Sequence, residues 1–189
     1  VCLYKGAGVS SNKKEGLKLL SEAAFQKDSN ALCYYGKLLM KGKDVKQDQE
    51  AAKGMFELAA KQGQPEAMYE LAMIYEKSDN EIEKMKADSL LQQSSDAGSP
   101  NASFLLGKKY FNDPQQKENG IKLIEKAANA NNVEALKEIS RIYREGDGVP
   151  VDTDKAEDYN QIAKQLNSDH VHSDMFAAAF VPRKKKKKA

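Results

Sequence analysis

A chain of 189 residues with 40% hydrophobic and 31% charged residues, 12 Gly and 5 Pro has the composition of a soluble globular protein, not of a disordered or fibrous one. Its formal net charge is +2, and because Arg183, Lys184, Lys185, Lys186, Lys187 and Lys188 carry six positive charges, the rest of the chain stands at −4. Two cysteines, Cys2 and Cys33, are too few for a disulfide framework or a zinc site, so a reducing compartment is the default, and the longest apolar run, MFAAAFV from Met175, is seven residues where a membrane span needs about 20.

The chain opens on Val1 with no initiator Met, as expected of a fragment or a processed form. Residues 1–30 read as the end of one helix, a loop at GAGVSS and a second helix carrying Gly16, Leu19 and Ala23. Small, apolar three places on and small four places later is one stripe of a helix with 3.6 residues per turn. A helix opening at Ala31 follows, crowded by Cys33, Tyr34 and Tyr35, then the loop KGKDVKQD from Lys41 and the stripe Ala52, Met55, Ala59. The order then returns. Ala67, Leu71, Ala72 and Tyr75 precede Ala87, Leu90 and Ser94; Ala102, Leu106, Gly107 and Tyr110 precede Gly120, Leu123 and Ala127. Ala135, Ile139, Ser140 and Tyr143 precede the loop EGDGVPVDTD from Glu145 and the last stripe, Ala156, Tyr159, Ala163.

From Ala23 to Ala59, Ser94, Ala127 and Ala163 the steps are 36, 35, 33 and 36, and each of the first four is followed eight places on by Ala31, Ala67, Ala102 or Ala135. The pattern fails at Val171. Gly6, Gly42 and Gly146 mark the loops inside the units, where Gly supplies positive φ and Pro150 stops a helix from running through. The third and fourth loops are one and three residues shorter, with Ser78 and Asp113 where Gly would stand. Length changes fall in loops and spare the helix faces. The expected division is a partial unit at 1–30, full units at 31–66, 67–101, 102–134 and 135–170, and a cap remnant with a disordered basic tail at 171–189.

Two antiparallel helices joined by a short loop approach closely only where side chains are small, and the apolar face each hairpin leaves must be covered by the next. At least three such units are needed for stability. Four complete hairpins meet that need.

The run A-x-x-x-L-G-x-x-Y, the Gly-rich turn G-x-G-V-x-x-D, then K-A and a pair of alanines resembles the Sel1-like repeat, a relative of the tetratricopeptide repeat; REGDGVPVDTDKAEDY from Arg144 comes closest in its turn. The resemblance covers Val1 to about Leu166. It implies an all-α fold, a right-handed superhelical solenoid of stacked hairpins. It also implies a non-catalytic scaffold or adaptor, as in the ubiquitin-ligase adaptor of endoplasmic-reticulum-associated degradation, chitin-synthase activators and bacterial secreted effectors. Kinase domains joined to this repeat are a known arrangement, which leaves open a regulatory region of a larger enzyme.

Catalytic constellations are sparse. The sequence has no P-loop, H-E-x-x-H, G-x-S-x-G or dinucleotide fingerprint. Asp152, Asp154 and Asp158 suggest a calcium loop, but the glycine required at its sixth place is Glu157. His170 and His172, with Asp169 and Asp174, read as a polar terminal linker rather than a metal site. No cofactor and no small-molecule substrate are expected. Cys2 and Cys33 are five residues out of register, so free, half-buried thiols are expected, and Asn101-Ala-Ser matches a glycosylation acceptor.

Stacks of this kind line their concave side with the first helix of each hairpin. By resemblance to tetratricopeptide grooves, the outward track lies two and six places after each opening alanine: Cys33 and Lys37, Tyr69 and Met73, Phe104 and Lys108, Lys137 and Arg141. Rings alternating with cations suit an extended segment of a partner protein with acidic and apolar residues. The basic tail, Arg183 to Lys188, resembles a nuclear import signal and also suits an import receptor, nucleic acid or an anionic surface through charge alone. The expected location is the cytoplasm or nucleus, with association with the endoplasmic reticulum left open.

Overall fold

The computed structural model describes residues 12–42 and 44–179, with side chains as far as 168. Among the described residues the chain is all helix: α1 (Lys13–Phe25), α2 (Ser29–Lys41), α3 (Gln49–Lys61), α4 (Pro65–Glu76), α5 (Glu81–Asp96), α6 (Pro100–Phe111), α7 (Lys117–Asn129), α8 (Val133–Glu145) and α9 (Thr153–Ala179). Even-numbered helices open the hairpins and odd-numbered helices close them. Each packs chiefly on its neighbours in the chain, and α4 also touches α6, so the units stack as a solenoid. No described helix is long and apolar enough to cross a membrane.

The small residues stand where the helices meet. Ala52, Ala87 and Ala156 on the closing helices are 0%, 2% and 0% exposed, and Gly16 and Gly120 are buried with them. On the opening helices Ala31, Ala67, Ala102 and Ala135 are 5%, 0%, 0% and 0% exposed. The large residue between the small ones is not the expected one. The stripe drawn through Leu19, Met55, Leu90, Leu123 and Tyr159 is one place off: Leu19 is 48% exposed and the other four are half-buried, whereas Leu20, Phe56, Leu91 and Ile124 fill the core. Positions three and four after a small residue lie on either side of one helix face, and the neighbouring helix selects the second.

One turn is built identically between units. The residue four before each opening alanine has positive φ: Lys27 (64°), Gly63 (81°), Gly98 (96°) and Asn131 (62°). The next residue, Asp28, Gln64, Ser99 or Asn132, accepts with its side chain the N–H of Ala31, Ala67, Ala102 or Ala135, so each opening alanine also carries the capped amide. Its own N–H donates back to Ala23, Ala59, Ser94 or Ala127, closing the preceding helix in a Schellman arrangement. Inside the hairpins, Gly42 and Gly146 end α2 and α8 in the left-handed conformation, and Asp48 and Asp152 cap the helices that follow, accepting from Ala51 and Lys155 N–H. Asp152 is thus a helix cap.

Lys27 is the long side chain in this left-handed register. Such a conformation costs an L residue roughly 1–2 kcal/mol, and glycine's extra freedom in the unfolded chain offsets about 0.5–1 kcal/mol of the relief. Lys27→Gly is therefore expected to stabilise the protein by about 0.5 kcal/mol, seen as a higher urea midpoint at unchanged slope. A lower midpoint would contradict it.

One further expectation is corrected. Residues 169–174, read as a polar terminal linker, lie within α9, because no Gly or Pro interrupts the chain between Thr153 and Pro182. The serines that replace the alanine pair in the third unit are buried yet satisfied: Ser94 Oγ donates to the Pro65 carbonyl (2.7 Å) and Ser95 Oγ lies 2.8 Å from Ser103 Oγ.

Candidate ligand groove

The expected track falls on α2, α4, α6 and α8, two positions to each helix. Cys33 leaves it: the side chain is 4% exposed and belongs to the core with Leu32 and Leu39, so neither a groove position nor a half-buried thiol describes it. Burial pushes its thiol up to about 11, with Lys37 opposing and Glu66 and Glu70 adding to the shift. A small apolar thiol fits between helices where Tyr69, Phe104 and Lys137, at the same register, do not.

Tyr69, Met73 and Phe104 are half-buried. Tyr69 packs beside Ala72 and Leu106, and Phe104 beside the cluster of Ile139 and Ile142, so both rings brace the stack while keeping part of their surface in water. The cations divide into two kinds. Lys37 Nζ lies 2.8 Å from Glu66 and 3.2 Å from Glu70; burial alone would lower its ammonium, but the Glu66 hydrogen bond and the two carboxylates together raise it. Arg141 is held between Glu138 (2.7 Å) and Glu145, 5.9 Å from the Phe111 ring. Lys108 and Lys137 are exposed and form no ion pair among the described residues. Lys108 Nζ stands 5.7 Å from the centroid of the Phe104 ring.

A polar chain that the sequence reading missed joins the opening helices. Lys37 and Asn101 Nδ2 both donate to Glu66 Oε1 at 2.8 Å, Ser99 Oγ donates to Glu66 Oε2 at 3.2 Å, and Asn132 Nδ2 donates to Asn101 Oδ1 at 2.9 Å. Four successive opening helices are tied in this way, from Lys37 on α2 to Asn132 at the head of α8. The visible signal is a column one place before each opening alanine, which reads Asn30, Glu66, Asn101 and Glu134. The carboxamide nitrogen that would carry a glycan at Asn101 is the one that donates to Glu66.

Cys2, Gly6 and the tail from Arg183 to Lys188 lie outside the described residues, as do the side chains of Asp169, His170, His172 and Asp174.

The sequence matches the Sel1 repeat at residues 1–27, 29–64, 65–99, 100–132 and 133–168. Among solved structures the chain is similar to c5321, a protective antigen of uropathogenic Escherichia coli with an SLR fold, at 25% identity and a TM-score of 0.69, over 86% of this chain and 36% of that one. It is similar to a Sel1 repeat protein from Oxalobacter formigenes at 25% identity and a TM-score of 0.70, over 87% of this chain and 49% of that one. The fold is shared with the immunity protein Pa5087 of Pseudomonas aeruginosa at 20% identity and a TM-score of 0.62, over 77% of this chain and 55% of that one. The chain therefore spans about a third to a half of the first two proteins. No curated protein matches it. Five matched units spread over nearly the whole described length, on a fold that stacks them in order, lead to one conclusion: the chain belongs to the Sel1 repeat family.

Proposed function

We propose that the protein is a non-catalytic scaffold that holds an extended, partly acidic segment of a partner protein along α6 and α8. Sel1 repeat proteins are generally protein-interaction scaffolds. The observation that supports the finer reading is the state of the cations: Lys37 and Arg141 are neutralised by the protein's own carboxylates, whereas Lys108 and Lys137, on neighbouring opening helices, are not. Beside Lys108 stands the partly exposed Phe104 ring. Two ammonium groups without an ion pair among the described residues, together with a ring face, match a chain that alternates carboxylates with apolar side chains.

The test is a peptide selected from a random display library against the intact protein. The Lys108→Glu, Lys137→Glu double variant is expected to weaken its binding by about 10- to 100-fold, with an unchanged melting temperature. Lys37→Gln is expected to leave the affinity within about twofold, since a paired cation has little attraction left to offer. Removing the tail after Ala179 is expected to change nothing. Equal binding by the double variant, or loss of binding with the tail, overturns the reading.

A further inference from the structure

A second candidate surface lies on the other kind of helix. Between α3 and α5, floored by α4, a notch of about 490 Å³ opens to solvent with Glu57 on one wall, Leu90 and Lys86 on the other, and Met68 and Tyr75 below. Its meaning comes from comparison with the equivalent place two units on. Sixty-eight residues separate Glu57 from Glu125 and Tyr75 from Tyr143; sixty-nine separate Lys86 from Lys155 and Leu90 from Tyr159.

In the later copy the chain fills this place itself. The Tyr159 ring stacks on Tyr143, with centroids 6.3 Å apart and an interplanar angle of 18°, and its hydroxyl donates to Glu125 Oε1 at 3.2 Å. Tyr143 donates to the same oxygen at 3.1 Å, and Lys155 Nζ donates to it at 2.7 Å and to the Tyr143 hydroxyl at 2.6 Å. Burial and then the Glu125 charge push the Tyr159 phenol up to about 12, so it stays a donor at physiological pH. Phenol on carboxylate, ring on ring and ammonium beside both form a complete set of partners.

In the earlier copy the tyrosine–carboxylate pair is kept and the second phenol is missing, while a different cation, Lys53, held by Glu83 at 2.7 Å, stands 5.3 Å from the Tyr75 ring centroid. Tyr75 donates to Glu57 Oε1 at 3.3 Å, as Tyr143 does to Glu125, but Leu90 replaces the second tyrosine. Lys86, the counterpart of Lys155, makes no ion pair among the described residues, and neither does Lys61 at the rim. The notch thus has a ring-sized apolar floor, a carboxylate acceptor inside and two unpaired cations at its mouth. We propose that it takes the tyrosine side chain of a partner peptide whose neighbouring residues are acidic. The ring stacks on Tyr75, its hydroxyl donates to Glu57, and the flanking carboxylates meet Lys61 and Lys86. The unit after α5 has no such frame, since Gln92 stands in the register of Glu57 and Glu125.

The probe is the capped pentapeptide Glu-Glu-Tyr-Glu-Glu, titrated into the intact chain and followed by the methyl resonances of Met68, Leu71 and Leu90. Saturable shifts at these methyls are expected, with the Phe version of the peptide about fivefold weaker for want of the hydroxyl. Leu90→Tyr, which copies Tyr159 and fills the notch from within, is expected to keep the fold and abolish the shifts. Lys61→Glu with Lys86→Glu, both exposed, is expected to weaken binding at least about fivefold and carries the test should Leu90→Tyr fail to fold. The proposal is overturned if no shifts appear at millimolar peptide, if they appear only on α6 and α8, if the Tyr and Phe peptides bind alike, or if folded Leu90→Tyr or the charge-reversed protein binds as the parent does.

Discussion

Replacing Gly120 with alanine is expected to lower the unfolding free energy by about 3 kcal/mol or more, at or beyond the upper end of ordinary overpacking. An added Cβ would stand 2.7 Å from the Gly107 carbonyl oxygen and 2.7 Å from Phe111 Cα, both backbone atoms of α6. The fit is reciprocal: a Cβ at Gly107 would lie 2.9 Å from Ile124 N and 3.0 Å from the Gly120 carbonyl oxygen. A flexible side chain gives way cheaply, but a helix backbone moves only with its helix. Separating α6 from α7 uncovers Leu106 and Ile124, which are 3% and 0% exposed. Gly54, also inside a helix, has nothing within 4 Å of an added Cβ. Gly54→Ala is therefore expected to add about 0.5–1 kcal/mol through helix propensity and the unfolded chain. Urea denaturation of the two variants reads effects of opposite sign; a loss at Gly120 no larger than about 1 kcal/mol would show that the close approach of α6 and α7 is not maintained in solution.

This pair of glycines also shows what a single sequence discloses. The distance from opening alanine to the small residue of the closing helix is 21, 20, 18 and 21 residues in the four hairpins, and the hairpin with the shortest span has glycine on both sides of the contact. Periodicity exposes the small positions because backbone contact admits few substitutes. It does not expose partnership between large residues, because Leu19 and Leu20, or Met55 and Phe56, are equally apolar and only the neighbouring helix distinguishes them.

The groove was legible to a lesser degree, for the same physical reason. Register placed Tyr69, Met73, Phe104, Lys108, Lys137 and Arg141 on the opening helices, but the column containing Glu66 and Asn101 went unread. Polar pairing is a matter of reach across 29 to 35 residues of chain, as between Lys37 and Glu66 or Asn101 and Glu66, and periodicity is silent on which rotamer meets which. Lys37 therefore looked like a ligand contact and is bound internally, while Cys33, read as a groove position, is small enough to be enclosed. The turn before each opening helix was hidden by its chemistry: Asp, Gln, Ser and Asn share only a side-chain acceptor, and Lys27 obscures the glycine-like residue ahead of it.

Phe56→Ala is expected to produce the other large loss, about 3–5 kcal/mol, because the ring is wholly buried at the centre of the core shared by α1 to α4. Its size is matched to one position on the facing helix. A Cβ at Gly36 would lie 2.9 Å from Phe56 Cε1 and 3.1 Å from Cζ, so glycine there is the complement of the ring. Gly36→Ala alone is expected to cost about 1–3 kcal/mol by overpacking, and Phe56→Leu alone leaves a cavity beside Gly36. Combined, the methyl gained at one position enters the space lost at the other. The double variant is therefore expected to be more stable than the sum of the single effects by about 0.5–3 kcal/mol. Strict additivity would mean that ring and glycine do not meet. The solenoid adds a spatial expectation, since Ile124, Ile139 and Ile142 belong to a separate cluster toward the C-terminus. Amide exchange in Phe56→Leu is expected to quicken first in α1 to α4, because each unit draws its stability from its immediate neighbours and loses it to them.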